Sequence, residues 1–178
     1  NQSSGSIAID SKSIYLFAFP STLQALDLIT GEELWSHEIS GHGQTVQVHA
    51  NKVFVWQADN TLTVFDAESG TELWSTGKLD VVNGLTRGPY LANTAMLMIP
   101  APGELRAYDP NTGEVLWSFF EAFDGINATM ASSFDERGET LYLQFLPTSA
   151  ATDPSSSGRV LIAIDASDGS EIWRTTLS

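Results

Sequence analysis

Ala25-Leu26-Asp27-Leu28-Ile29-Thr30-Gly31-Glu32-Glu33-Leu34-Trp35 decides the fold, because its spacing returns three more times. The other copies run from Val64 through Asp66 and Gly70 to Trp74, from Ala107 through Asp109 and Gly113 to Trp117, and from Ala163 through Asp165 and Gly169 to Trp173. All follow Ala-x-Asp-x-x-x-Gly-x-x-x-Trp, with Val64 the one departure. Glu occupies one or both positions before the final apolar-Trp pair in each: Glu32 and Glu33, Glu72, Glu114, and Glu171. A repeat of this kind defines the architecture before any single residue does.

Each copy reads as a tight hairpin. Leu23 to Leu28 and Glu33 to Ser36 flank a turn in which Gly31 supplies the positive φ that side-chain-bearing residues resist. Asp at the turn entrance accepts hydrogen bonds from turn amides, so Asp27, Asp66, Asp109 and Asp165 are read as turn caps. Two further strand-like runs precede every hairpin: Ser6–Ile9 and Ser13–Phe19, Thr45–Val48 and Lys52–Trp56, Tyr90–Ala92 and Ala95–Ile99, Asn127–Ala131 and Thr140–Phe145. Four short strands per unit, rich in β-branched and aromatic residues and split by turn residues, describe a propeller blade. No stretch sustains a helical period. The expected fold is all-β, a β-propeller of four-stranded antiparallel blades, with blades near 5–40, 41–79, 85–121 and 126–178 in one domain or half-propeller.

Composition agrees with a packed domain and narrows the function. The chain has 178 residues, 42% of them hydrophobic, with 22 Asp plus Glu against 8 Lys plus Arg and a formal charge of -14. That apolar content supports a core despite the charge. Eight scattered cations argue against nucleic acid and against an anionic membrane surface as partners. No apolar run approaches the roughly 20 residues of a membrane helix, and the polar start at Asn1 is not a signal peptide, so no membrane insertion is expected. The lack of an initiating Met suggests an excerpt or a processed chain. Zero Cys excludes disulfides, thiolate metal sites and thiol nucleophiles.

The Asp-x-x-x-Gly-x-x-x-Trp hairpin resembles the pyrroloquinoline-quinone (PQQ)-like repeat of the quinoprotein β-propeller superfamily, over essentially the whole chain. The resemblance implies that the motif forms the two outer strands of a blade. It also implies that Trp35, Trp74, Trp117 and Trp173 dock on the neighbouring blade near a motif Gly, as structural fasteners. Dehydrogenases of this superfamily hold the quinone near the propeller axis with Ca²⁺, carboxylate and amide ligands, an Asp base, a Trp platform and often an adjacent Cys pair. That pair is absent here. Trp56, the one Trp outside the repeat, sits in Val53-Phe54-Val55-Trp56 and reads as a strand residue packed between blades. Asp124, or Asp80 with Asn83, are oxygen donors at uncontrolled spacing, which does not define a calcium site. No catalytic residue and no metal site are assigned, and no cofactor is expected; PQQ and Ca²⁺ enter only if the chain is a fragment of a PQQ- and calcium-dependent alcohol or sugar dehydrogenase.

Other chemistry is thin. His37, His42 and His49 lack the paired spacing of a helical zinc site and are read as solvated or hydrogen-bonded. Asp153-Pro154-Ser155-Ser156-Ser157-Gly158 reads as a mobile loop, since Gly-x-Ser-x-Gly is absent. Asn1 and Asn127 fit glycosylation sequons that chance alone can produce. Ser118-Phe119-Phe120-Glu121 breaks the polar pattern that follows the Trp in other copies. On an alternating strand Phe119 and Phe120 cannot share one blade interface, so they form either a hydrophobic contact site for a partner or a local cap under the Asp124-Gly125 loop.

Propellers close with roughly 4 to 8 blades, and an open set exposes blade-packing faces. Four blades are therefore read as half of a larger ring, completed by more of the same chain, by a second copy or by another chain. The function expected is a non-catalytic protein-binding or scaffold module. The resemblance alone implies a periplasmic or extracellular location. The hairpins carry Asp27, Glu32, Glu33, Asp66, Glu68, Glu72, Asp109, Glu114, Asp165, Asp168 and Glu171, half of the 22 acidic residues. Hairpins turning on one propeller face would gather that charge into an acidic rim, suited to a basic or cationic partner.

Overall fold

The computed structural model describes residues 6–19, 21–39, 43–78, 90–93, 96–101, 104–120, 131–135, 137–145 and 159–177 of the chain. Sixteen strands are present among them, in four sheets of four. The first sheet holds β1 (Ile7–Ile9), β2 (Ser13–Ala18), β3 (Thr22–Asp27) and β4 (Glu33–Glu38). The second holds β5 (Gly43–His49), β6 (Lys52–Gln57), β7 (Thr61–Asp66) and β8 (Glu72–Lys78). The third has β9 (Tyr90–Asn93), β10 (Met96–Ala101), β11 (Glu104–Tyr108) and β12 (Val115–Phe120), and the fourth β13 (Ala131–Phe134), β14 (Thr140–Phe145), β15 (Arg159–Asp165) and β16 (Glu171–Leu177). Each strand pairs antiparallel with its neighbour in sequence, giving four meanders of the propeller-blade type. No helix occurs among the described residues.

The last strand of every sheet carries the same irregularity. The motif Trp pairs with the motif Ala or Val (Ala25 with Trp35, Val64 with Trp74, Ala107 with Trp117, Ala163 with Trp173), and the register then shifts by one residue. The residue left over is Leu34, Leu73, Leu116 or Ile172, which makes it the extra residue of a β-bulge. All four are exposed. The bulge swings this apolar side chain out of the alternation, so it does not join the core that its hydrophobicity suggests.

Turn chemistry sets the register of the inner strands. Ala50 and Asn51 both have positive φ in the two-residue turn between β5 and β6, the primed type that matches strand twist. In the fourth sheet Asp135 accepts hydrogen bonds from the amides of Glu139 (2.8 Å) and Thr140 (3.2 Å), and Gly138 has φ 70°. That turn places Ala131–Phe134 opposite Leu141–Gln144. Residues 127–130 of the expected run Asn127–Ala131 lie outside the described residues.

The chain divides into two compact units: residues 1–80 with 87–89 and 111–113, and residues 81–86 with 90–110 and 114–178. In the first unit Tyr15, Leu23 and Ala25 pack with Val46, Val53, Val55, Phe65 and Ala67. Strands β6 and β7 are buried on both faces, so the period of two disappears there. The buried polar groups of Gln57 and Thr63 satisfy each other, Gln57 Nε2 donating to Thr63 Oγ1 at 3.0 Å. In the second unit Leu105, Ala107, Trp117 and Phe119 pack with Leu141, Leu143, Ile162, Ile164 and Ala166. Each fully buried aliphatic or aromatic side chain contributes roughly 1.5–3 kcal/mol.

Candidate functional site

The motif residues build one device from two halves. In the first, second and fourth hairpins the Asp closes the turn with its backbone: Gly31 N–H donates to Asp27 O (3.0 Å), Gly70 N–H to Asp66 O (2.9 Å) and Gly169 N–H to Asp165 O (2.9 Å). The carboxylate caps the same turn. Asp27 Oδ1 accepts from the amides of Ile29 (2.9 Å) and Thr30 (2.7 Å), Asp66 Oδ1 from those of Glu68 (3.1 Å) and Ser69 (2.8 Å), and Asp165 Oδ1 from that of Ser167 (2.8 Å). The motif Gly residues, Gly31, Gly70, Gly113 and Gly169, have φ between 71° and 77°, a region that L-residues enter at a cost.

The second half is the tryptophan of a different hairpin. A Cβ placed on Gly70 would lie 2.6 Å from the Trp35 indole, one on Gly113 2.7 Å from Trp74, and one on Gly169 2.6 Å from Trp117. Gly113 belongs to the stretch that groups with the first unit, so each of these contacts lies within one unit. Glycine thus serves twice, for the turn and for the close approach of a flat ring. The indole N–H finds a carbonyl next to the Asp: Trp35 Nε1 donates to Ala67 O at 3.0 Å and Trp117 Nε1 to Ala166 O at 2.9 Å. Tyr15 and Phe65 complete the seat of Trp35, with ring centroids at 5.9 and 6.3 Å. Gly31 and Trp173 stand apart. Nothing lies within 4 Å of a Cβ on Gly31, and Trp173 is 42% exposed against 8% for Trp117.

The electrostatics of the hairpins follow from the caps. The Thr30 amide, then the Ile29 amide and the Thr30 hydroxyl, hold the Asp27 carboxyl below its ordinary value. The Ser69 amide and hydroxyl do the same for Asp66. The Ser170 side chain and amide lower Asp168, and the Arg174 guanidinium lowers Glu171. A depressed carboxylate contributes stability that is present above its unfolded pKa and lost as pH falls through the lower folded one. Acid unfolding below about pH 4 should therefore be less steep in Asp66→Asn than in the parent, a difference read from melting temperatures between about pH 5 and about pH 2.5. Equal slopes would refute the role of the cap.

An open cleft of about 230 Å³ in the first unit is lined by Asp10, Lys12, Asp27, Leu34, Asn51 and Glu68, among others. The carboxylates of Asp10 and Asp27 already have partners. Asp10 accepts from the amides of Lys12 and Ser13 (2.8 Å each) and from the Tyr15 hydroxyl (2.9 Å). Burial raises the Asp10 pKa, but these bonds outweigh it and the net direction is down. Burial pushes the Tyr15 phenol up to about 12, and the bond to Asp10 adds to the rise. Among the described residues no three His, Asp or Glu side chains come together in a way that could hold a metal ion.

The remaining candidates fall as follows. Phe119 is buried at 8% exposure in the core of the second unit, where it pairs with Leu105. This corrects the expectation of an exposed contact site at that position, since strand alternation sends Phe119 inward with Trp117. The Phe120 side chain and the 124–125 loop lie outside the described residues. So do Asp80, Asn83, Asp124, His42, the 153–158 segment and both sequons. Trp56 is buried at 2% exposure within β6, so it offers no ring face to a quinone. With no metal-binding cluster beside it, the described residues do not fit a quinone and calcium site. His37 is half-buried and packs on the rings of Trp35 and Phe65, with centroids at 6.0 and 5.2 Å. His49 Nε2 is buried and has no hydrogen-bond partner among the described residues. The exposure of the bulged apolar residues Leu34, Leu73, Leu116 and Ile172 is a feature that sequence reading missed. The shared apolar residue before each Trp was its signal.

Residues 103–178, about two-fifths of the chain, match the family model described as outer membrane protein assembly factor BamB. No curated protein matches the chain in sequence. Among solved structures, BamB from Moraxella catarrhalis is similar at 18% identity and a TM-score of 0.62, over 95% of this chain and 63% of that one. A quinohemoprotein alcohol dehydrogenase from Pseudomonas putida HK5 is similar at 16% identity and a TM-score of 0.63, over 98% and 34%. A europium-containing methanol dehydrogenase is similar at 17% identity and a TM-score of 0.66, over 97% and 42%. At these identities the likeness is one of fold, and the chain spans less than two thirds of each of these structures. No helix among the described residues is long and apolar enough to cross a membrane. Four copies of the hairpin repeat, four blade-type sheets and the match over residues 103–178 together make the chain similar to the PQQ-like repeat β-propellers.

Proposed function

We propose that the chain is a non-catalytic PQQ-like propeller module that binds or scaffolds proteins in an extracytoplasmic protein. The observation that carries this reading is the use of the motif itself. The carboxylates of Asp27, Asp66 and Asp165 are directed at their own turn amides, and Trp35 and Trp117 are seated on neighbouring hairpins. These groups serve turn closure and packing between hairpins. The similarity of residues 103–178 to an assembly factor supports a binding role. The superfamily resemblance supports the location. The net charge of -14, with half of the 22 acidic residues set in the hairpins, favours a basic or cationic partner surface.

The rival reading is a fragment of a PQQ- and calcium-dependent alcohol or sugar dehydrogenase, to which the fold likeness to two dehydrogenases speaks. The full chain, incubated with the quinone and Ca²⁺ and then desalted, should retain no quinone absorbance and support no dye-linked alcohol oxidation. Stoichiometric quinone retention with turnover would overturn the scaffold reading. Binding to a basic protein surface should weaken as salt rises past about 0.15 M; salt-insensitive binding would remove the electrostatic part.

A further inference from the structure

We propose that the cleft between the first two motif hairpins is a receptor for an arginine side chain of a basic partner protein, with Asp27 and Glu68 accepting from its guanidinium. The inference rests on reading the chain as a scaffold for a basic partner and names the point of contact. The cleft lies within the first unit, where the first hairpin contributes Asp27 and Leu34 and the second contributes Ala67 and Glu68. Its volume of about 230 Å³ falls below the roughly 300–1,000 Å³ of small-molecule pockets. One long side chain suits that space. The carboxylates of Asp10, Asp27 and Glu68 line it against the single ammonium of Lys12, three negative charges to one positive, so two remain uncompensated.

The acceptors that the turns leave unused set the chemistry. Both Asp10 oxygens are taken, Oδ1 by the Lys12 and Ser13 amides and Oδ2 by the buried Tyr15 phenol. On Asp27 the cap bonds from the Ile29 amide and from the Thr30 amide and hydroxyl all fall on Oδ1. Its Oδ2 accepts nothing among the described residues. Glu68 gives its amide to the Asp66 cap, and its carboxylate has no hydrogen bond among the described residues. At this place in the motif the other hairpins carry Ile29, Asn111 and Ser167, so Glu68 is the one carboxylate there. The two open acceptors stand on different hairpins, and a forked guanidinium can bond both where an ammonium offers a single point charge. Because no three His, Asp or Glu side chains converge among the described residues in a way that could hold a metal, the excess charge suits an organic cation. The walls suit its stem. Leu34, turned out by the bulge of β4, brings apolar surface that is 51% exposed. Ala67 is fixed on the second hairpin, its amide donating to Asn51 O at 3.0 Å and its carbonyl accepting from Trp35 Nε1 at 3.0 Å. An arginine lays its methylenes along such surface while its charged end reaches polar groups.

The probe is the peptide acetyl-Gly-Gly-Arg-Gly-Gly-amide, titrated into the isotopically labelled full chain and followed by amide chemical shifts. It should bind with a dissociation constant of about 1–10 mM, the scale of one side chain in a partly open site, and move the amides of Ile29, Thr30 and Glu68. The citrulline peptide, equal in shape but uncharged, should bind at least about 10-fold more weakly. Glu68→Gln, and Asp27→Asn, which keeps an oxygen for the cap, should each weaken binding of the arginine peptide about 5-fold. Lys12→Gln removes the opposing cation and should tighten it about 2-fold. Glu32→Gln, an acidic change on the first hairpin outside the cleft, should leave it within about 2-fold. Amide spectra otherwise like the parent's establish that the variants are folded. No binding of the arginine peptide, equal binding of the citrulline peptide, or equal losses in Glu32→Gln and Glu68→Gln would each overturn the proposal. Salt-sensitive binding of a basic protein that is unchanged in Glu68→Gln would also overturn it and leave the scaffold reading standing. Quinone retention with turnover, beside peptide binding that depends on Glu68, would remove the scaffold reading and support the cleft.

Discussion

Trp117→Ala should destabilise the chain by about 3–5 kcal/mol, the scale of large aromatic deletions from cores. The indole is nearly fully buried, lies against the bare backbone of Gly169, and donates to Ala166 O at 2.9 Å. Truncation removes the aromatic area, opens a cavity beside Leu105, Leu141 and Ile164, and strands a carbonyl that the indole had satisfied. Urea unfolding followed by circular dichroism measures the loss. A change below about 1 kcal/mol would mean that the site collapses freely and that the fastener role is wrong.

Gly70→Ala should cost about 2–5 kcal/mol, while Gly31→Ala at the equivalent turn should cost only about 1–2 kcal/mol. Both substitutions force an L-residue to a φ of 71°. Only the first also places a methyl group 2.6 Å from the Trp35 ring, a contact that a rigid indole packed against Tyr15 and Phe65 cannot relieve by rotation. The difference between the two variants isolates the steric part from the conformational part. Equal losses, read from the same urea curves, would show that the Trp35 seat is soft.

Much of the fold is legible in the residues. The hairpin, its Gly and its Asp follow from local geometry, because a turn needs a positive φ and its amides need acceptors. The fourfold recurrence then implies blades. Where local signals compete, apolar patterning misleads. Phe119 looks like an exposed intruder because its neighbours in other copies are polar, yet alternation puts it in the core. The apolar residue before each Trp looks like core and is bulged outward instead.

The candidate site divides in the same way. The amino-acid sequence by itself determined that four Asp, Gly and Trp residues recur in step, since each turn is closed by atoms within a few residues of one another. Which tryptophan meets which glycine was settled only in the folded chain, where among the described residues Gly31 and Trp173 make no such contact. Such docking joins residues some 35 to 52 positions apart (Trp35 with Gly70, Trp74 with Gly113, Trp117 with Gly169), and that choice is made by the packing of whole sheets, which no local spacing encodes.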